Sequence, residues 1–287
     1  GIFGEKVVLR VLDKNESILE IGKLGLAEAN HDRLSGLLDR SYGLILVTGP
    51  TGSGKTTTLY AGINHLASDE KNIVTIEDPV EYQVEIVNQN EVKDSIGLGF
   101  AKVLKHVLRQ DPDIIMVGEI RDQETANIAV QAALTGHLVL STLHTNDSTG
   151  AITRMIDMGV EPYLLSSALI GVLAQRLIRT ICPSCKTTYL AEPEVMQRYG
   201  WTGDPLTLSK GRGCSECYDS GYKGRIAIHE FVEADDSLQR LIMGNASRDQ
   251  LNEYIADTDI KNLFDDGLLR VREGQTTIEE ISRVVTT

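Results

Sequence analysis

Four short apolar runs dominate the hydrophobic pattern between residues 42 and 142: Leu44–Thr48, Ile73–Ile76, Ile114–Val117 and Leu138–Thr142. Each is bounded by Gly, Pro, Asp or Glu, and none alternates apolar with polar as a half-exposed strand would. Continuous runs of this kind predict parallel strands covered on both faces. Helical segments are expected near Lys55–Leu66, Phe100–Arg109 and Asp122–Leu134, with lengths suited to crossover connections. The fold class is therefore α/β, a doubly wound parallel sheet flanked by helices over 41–180.

The flanking segments read differently. Residues 1–40 look like the end of a larger N-terminal domain and its linker, with a strand at Lys6–Leu12 and a helix at Glu28–Arg40. The missing initiator Met suggests a fragment whose N-terminal part has been cut away, or a processed chain. A helix is expected over Pro162–Arg179, with Pro in its first turn and Arg in its last. A cysteine-bearing subdomain follows over 181–230, and 231–287 read as short helices. No stretch approaches the ~18 uninterrupted apolar residues of a spanning helix, so no direct membrane insertion is expected.

The chemistry begins at Gly49-Pro50-Thr51-Gly52-Ser53-Gly54-Lys55-Thr56, which matches G-x-x-x-x-G-K-[ST] between an apolar strand and a helical segment. Glycines let the backbone curl so that its N–H groups converge as a phosphate nest, and the helix N-terminus adds partial positive charge. Lys55 would reach the β- and γ-phosphates of ATP or ADP, and the Thr56 hydroxyl would hold Mg²⁺, with Thr57 beside them. Asp113–Glu119 carries a strand to an acid at the sheet edge where phosphates sit, so Glu119 is the candidate metal carboxylate. The second acidic group, Glu77-Asp78-Pro79-Val80-Glu81, offers a group to orient the attacking water: Glu77, with Glu81 as the alternative. His144 ends the fourth strand and could bond the γ-phosphate, while His137 precedes that strand and is a weaker candidate.

All four cysteines fall in two knuckles, Cys182-Pro-Ser-Cys185 and Cys214-Ser-Glu-Cys217. Two such knuckles can present four thiolates to Zn²⁺. Other metals, iron–sulfur chemistry and a redox role are the alternatives. With every position filled by protein, the metal would be structural. Lys186, Arg212, Lys223 and Arg225 could offset the charge of the centre or face solvent.

Composition narrows the partners. With 28 Lys and Arg against 41 Asp and Glu the net charge is −13, which suits neither general DNA binding nor an anionic membrane surface. Aromatic residues make up only 5%, too few for a stacking surface even with Tyr218 and Tyr222 beside Lys223 and Arg225. A zinc-containing nucleic-acid module and a small-molecule kinase are the competing classes. The kinase would want an Arg-rich lid, and none is evident.

Taken together, GPTGSGKTTT, TIEDPVEY, RQDPDIIMVGEIRD and TGHLVLSTLHTND resemble the Walker A, Asp-box, Walker B and His-box motifs of the secretion ATPase superfamily. The likeness extends over essentially the whole chain and is greatest to its pilus-assembly branch, MSHA-type motors included, and to type II secretion ATPases. It implies a RecA-like core preceded by a PAS-like domain, a homohexamer, and ATP hydrolysis coupled to growth of a type IV pilus or a secretion pseudopilus. Glu77, Glu119 and His144 would be its catalytic residues, and Arg10 a γ-phosphate sensor, with Arg109 and Arg121 weaker candidates. The tetracysteine insert resembles the assembly branch; retraction ATPases usually lack it, and conjugative DNA-transfer ATPases are a further alternative. The implied partner is an inner-membrane platform protein, contacted from the cytoplasm, with no nucleic acid.

Overall fold

The structure, a computed structural model, describes Ile2, residues 4–7 and residues 20–285. Arg10 and most of the strand expected at Lys6–Leu12 lie outside the described residues. Nine strands are described: β1 (Gly43–Thr48), β2 (Ile73–Glu77), β3 (Asn88–Glu91), β4 (Ile114–Val117), β5 (Leu138–Leu143), β6 (Leu169–Ile181), β7 (Lys186–Leu190), β8 (Thr207–Gly211) and β9 (Tyr222–Glu233). The helices of the first half are α1 (Glu28–Leu38), α2 (Lys55–Leu66), α3 (Phe100–Val107), α4 (Gln123–Leu134), α5 (Ser148–Asp157) and α6 (Pro162–Ala168). Those of the second are α7 (Pro193–Arg198), α8 (Asp236–Met243), α9 (Arg248–Ala256), α10 (Leu263–Arg272) and α11 (Ile278–Val284).

The main sheet runs β3-β2-β4-β5-β1-β6-β9, parallel throughout except where β9 returns antiparallel on β6. β1 shows why its run is unbroken: Leu44 and Leu46 enter the core shared with α3–α6, while Ile45 and Val47 enter the core under α1 and α2. Each fully buried Leu or Ile of this kind contributes roughly 1.5–3 kcal/mol. Both faces are paid for by helices, as a parallel sheet requires. A third core joins the outer half of β6 and β9 (Ile178, Ile228) to Met196 and Leu208 of the cysteine lobe and to Leu263, Val271 and Ile281 of α10 and α11.

The helix expected over Pro162–Arg179 ends at Ala168, and Leu169–Ile181 is the strand β6. Length and periodicity do not separate a buried helix from a buried strand. Here β1 offers a parallel edge and β9 an antiparallel one, and the branched residues Ile170, Val172, Ile178, Thr180 and Ile181 suit the pleat. A second difference follows. The boundary expected at 230 falls inside β9, so residues from Tyr222 onward belong to the main sheet and the cysteine lobe proper lies at the tip of the β6–β9 hairpin.

Candidate nucleotide site and cysteine centre

Between the end of β1 at Thr48 and the start of α2 at Lys55, the chain turns through Gly49–Gly54. Gly49, Gly52 and Gly54 hold φ of 152°, 78° and 90°. A Cβ on Gly49 would stand 2.4 Å from the Gln175 carbonyl oxygen, and one on Gly54 would stand 2.7 Å from the Gln175 amide nitrogen. Only glycine allows this approach at these angles. Lys55 folds back so that Nζ donates to the carbonyls of Gly49 (2.8 Å) and Pro50 (3.0 Å). Burial pushes its pKa down, with Glu119 opposing and Arg176 reinforcing the shift. The Ser53 hydroxyl is buried without a hydrogen-bond partner among the described residues.

The acids converge on this loop from neighbouring strands. β4 delivers Glu119, held by Arg121 on one oxygen and 3.5 Å from His144 Nε2 on the other. The Thr142 hydroxyl donates to the Gly118 carbonyl at 2.7 Å, fixing that turn against β5. Burial, reinforced by Lys55, lowers the pKa of His144 against the opposing pull of Glu119, so its imidazole is neutral at pH 7. Thr48 Oγ1 lies 2.6 Å from Thr145 Oγ1 and ties the root of the phosphate loop to the segment after His144.

Glu77, at the end of β2, is only 3% exposed. Its oxygens accept from Thr75 Oγ1 at 2.6 Å, Tyr60 Oη at 2.5 Å and Gln89 Nε2 at 3.2 Å. An ionised carboxylate has about four acceptor positions, so three donors leave room for one more, such as a water.

Lys55, Thr56, Glu77, Glu119 and His144 all line one cavity of about 540 Å³, together with Thr51, Gly52, Gly54 and Thr57 of the loop. Gly49, Pro50 and Ser53 build the loop without lining the cavity. Glu81 and Arg121 also line it. His137 stands at the opposite end of β5, its Nδ1 2.9 Å from the Ala132 carbonyl, and Arg109 donates to the Lys105 carbonyl on the α3 surface. Neither reaches the cavity.

Sequence reasoning did not single out Tyr60, Gln175 or Arg176, and it placed Arg225 with the cysteines. The structure instead puts Arg225 and Leu177 in the cavity wall, carried there by the β6–β9 hairpin. Arg176, 9% exposed, donates to the carbonyl and side chain of Asn146 at 2.9 and 3.1 Å. The one available signal was the length of the apolar run 169–181, which reads equally as helix.

The four cysteines do meet. Their sulfurs all lie within 4.8 Å of one another, and Cys182–Cys214, Cys185–Cys217 and Cys214–Cys217 are 3.9, 3.8 and 3.7 Å apart. Bonds of ~2.3 Å from zinc to four thiolates set a tetrahedron with edges of about 3.8 Å. The donor set therefore fits Zn²⁺. At these separations the sulfurs are not bonded to each other. Lys223 faces Glu216 at 2.8 Å on the exposed rim of the lobe.

A family model described as type II/IV secretion system protein matches residues 1–283. The chain belongs to this secretion-system family. It is 52% identical over 282 residues to type II secretion system ATPase E of Vibrio cholerae serotype O1, covering 98% of this chain and 56% of that protein. It is 48% identical over 283 residues to the type IV pilus assembly ATPase PilB of Thermus thermophilus, covering 98% of this chain and 32% of PilB. This secretion-system chain thus spans between about a third and a little over half the length of these curated relatives. Among solved structures, the pilus retraction motor PilT with bound ADP superimposes with a TM-score of 0.71 at 31% identity, over 94% of this chain and 68% of PilT.

Proposed function

We propose that this secretion-system family member is the motor core of an ATPase that drives assembly of a type IV pilus, of the MSHA type among others, or of a type II secretion pseudopilus. The observation that carries the reading is the convergence of Lys55, Thr56, Glu77, Glu119 and His144 on one cavity at the C-terminal ends of β1, β2, β4 and β5, where open α/β sheets bind phosphates. Lys55 exchanges its loop carbonyls for the β- and γ-phosphates of ATP. The residues that would hold Mg²⁺ are Thr56 and Glu119, and the ion supplies charge neutralisation across the phosphates. Glu77 orients the attacking water through its remaining acceptor position, and neutral His144 donates to the terminal phosphate.

Assembly is favoured over retraction by the tetracysteine centre and by identities near 50% to assembly and secretion ATPases, against 31% to the retraction motor. Homohexameric packing, with Arg10 serving a neighbour's nucleotide, and docking on an inner-membrane platform protein from the cytoplasmic side complete the reading. Among the described residues no helix is long and apolar enough to cross a membrane. Lys55→Ala tests the site: ATP turnover should be abolished, and intact hydrolysis would show that the loop is not the catalytic one. In cells, removing an assembly motor abolishes fibres or secretion, whereas excess fibres would mark a retraction motor.

A further inference from the structure

We propose that Gln175 is a positioning residue of the nucleotide site, holding the Gly49–Gly54 loop in its anion-accepting curvature before nucleotide arrives. The inference rests on the nucleotide-binding reading above and concerns a residue in none of the four motifs.

Register places it. β6 runs parallel beside β1, with Val47 opposite Leu173 and Thr48 opposite Ala174. Gln175 therefore lies one step beyond the end of β1, directly under the loop. It is 2% exposed. Its Nε2 donates to the Ser53 carbonyl at 2.9 Å and its Oε1 accepts from Thr58 Oγ1 at 2.7 Å. Its own carbonyl oxygen fills the place a Gly49 side chain would take. One residue thus touches the start of the loop, its fifth residue and the first turn of α2.

The bond to Ser53 has a directional consequence. In a trans peptide plane the C=O and N–H point in opposite directions. Anchoring the Ser53 carbonyl on Gln175 turns the Gly54 N–H the other way, toward the cavity that Gly54 lines. Gly54 is the N-cap of α2 in the left-handed region, where a peptide without such an anchor flips at little steric cost. A terminal amide is the side chain that offers a donor and an acceptor at one end, as the Ser53 carbonyl and the Thr58 hydroxyl together require. Loss of the anchor lowers the fraction of loops in the binding-competent form, and the apparent affinity falls in proportion.

The test is calorimetry with MgADP on the chain and on Gln175→Met, which keeps length and volume but neither bond. The expected result is about a tenfold weaker Kd, equivalent to ~1.4 kcal/mol, with KM for ATP rising in step and kcat within about twofold of the parent. A Kd within about twofold of the parent overturns the proposal, and so does a lower kcat at unchanged KM, the sign of an interaction made only in the transition state. If Gln175→Met does not fold, Thr58→Val removes one of the two side-chain bonds and should weaken MgADP about threefold; an unchanged Kd overturns the proposal. An unsubstituted chain that takes up no MgADP sinks the nucleotide reading itself. Binding by that chain with unaffected variants sinks only the role of Gln175.

Discussion

Removing one oxygen atom from Tyr60 probes the acid network at the site. Tyr60 is 1% exposed, and its hydroxyl donates to Glu77 while lying 3.2 Å from Gln89 Nε2 and 3.3 Å from the Tyr82 amide nitrogen. Tyr60→Phe keeps the edge-on packing against Tyr82, whose ring centre is 5.2 Å away, but takes one donor from a buried carboxylate. A hydrogen bond to a charged group contributes roughly 1.5–3 kcal/mol. Thr75 and Gln89 still reach Glu77, so the expected loss is about 2 kcal/mol, or roughly 5 °C in Tm. The alkaline limb gives an independent reading. Burial first, and then the Glu77 carboxylate, raise the Tyr60 pKa well above its ordinary value of 10.0. A group whose folded pKa is raised contributes stability that is complete below the unfolded value and lost as pH climbs past it. Urea unfolding of the parent should therefore weaken above about pH 10 by up to ~1.4 kcal/mol per pH unit more than that of the variant. Equal stability of the two proteins at pH 7, or parallel losses above pH 10, would refute the network as described.

Glu119→Gln removes the charge that faces Arg121 and His144 while keeping shape, so MgADP binding should survive and ATP turnover fall by about 10²–10³, measured by phosphate release. Turnover equal to the parent would remove Glu119 from the reaction. Cys182→Ser takes away one of four thiolates, so the expected zinc content drops from about one per chain to well below it, by metal analysis. Stoichiometric zinc in that variant would show that the four-cysteine centre is misassigned. The same variant should lose order in the cysteine lobe before the nucleotide cavity weakens, seen as earlier proteolysis within 182–221.

The core strands were legible because each is a short, mostly apolar run bounded by a glycine, an acid or a hydroxyl, and a parallel sheet leaves few other readings. α2 and α4 were equally plain, one opened by the glycine loop and the other by Asp122, whose carboxylate accepts the Thr125 N–H at 2.8 Å. β6 was not legible. Its apolar positions fill both faces, and only the neighbouring edges of β1 and β9 decide between helix and strand. That single ambiguity hid Gln175, Arg176 and Leu177, since their places depend on strand register. It also sent Arg225 to the cysteines, although β9 carries it back to the cavity. β3 escaped notice because Asn88–Glu91 is polar throughout, as an exposed edge strand can be. Tyr60 gave no signal beyond an ordinary helical aromatic.

The cysteine lobe departs from the sheet and rejoins it at adjacent points: Ile181 stands opposite Tyr222, and the Cys182 N–H meets the Gly221 carbonyl at 2.9 Å. In topological terms the whole excursion is an ornament on a hairpin turn, so evolution could trim it to a tight bend without rerouting any strand. Loop length exacts only a logarithmic entropic toll, which makes such gain or loss thermodynamically mild in either direction. The lasting mark of a trimmed descendant would appear elsewhere, on α10 and α11, where Leu263, Val271 and Ile281 would lose part of their apolar cover and drift toward polar residues.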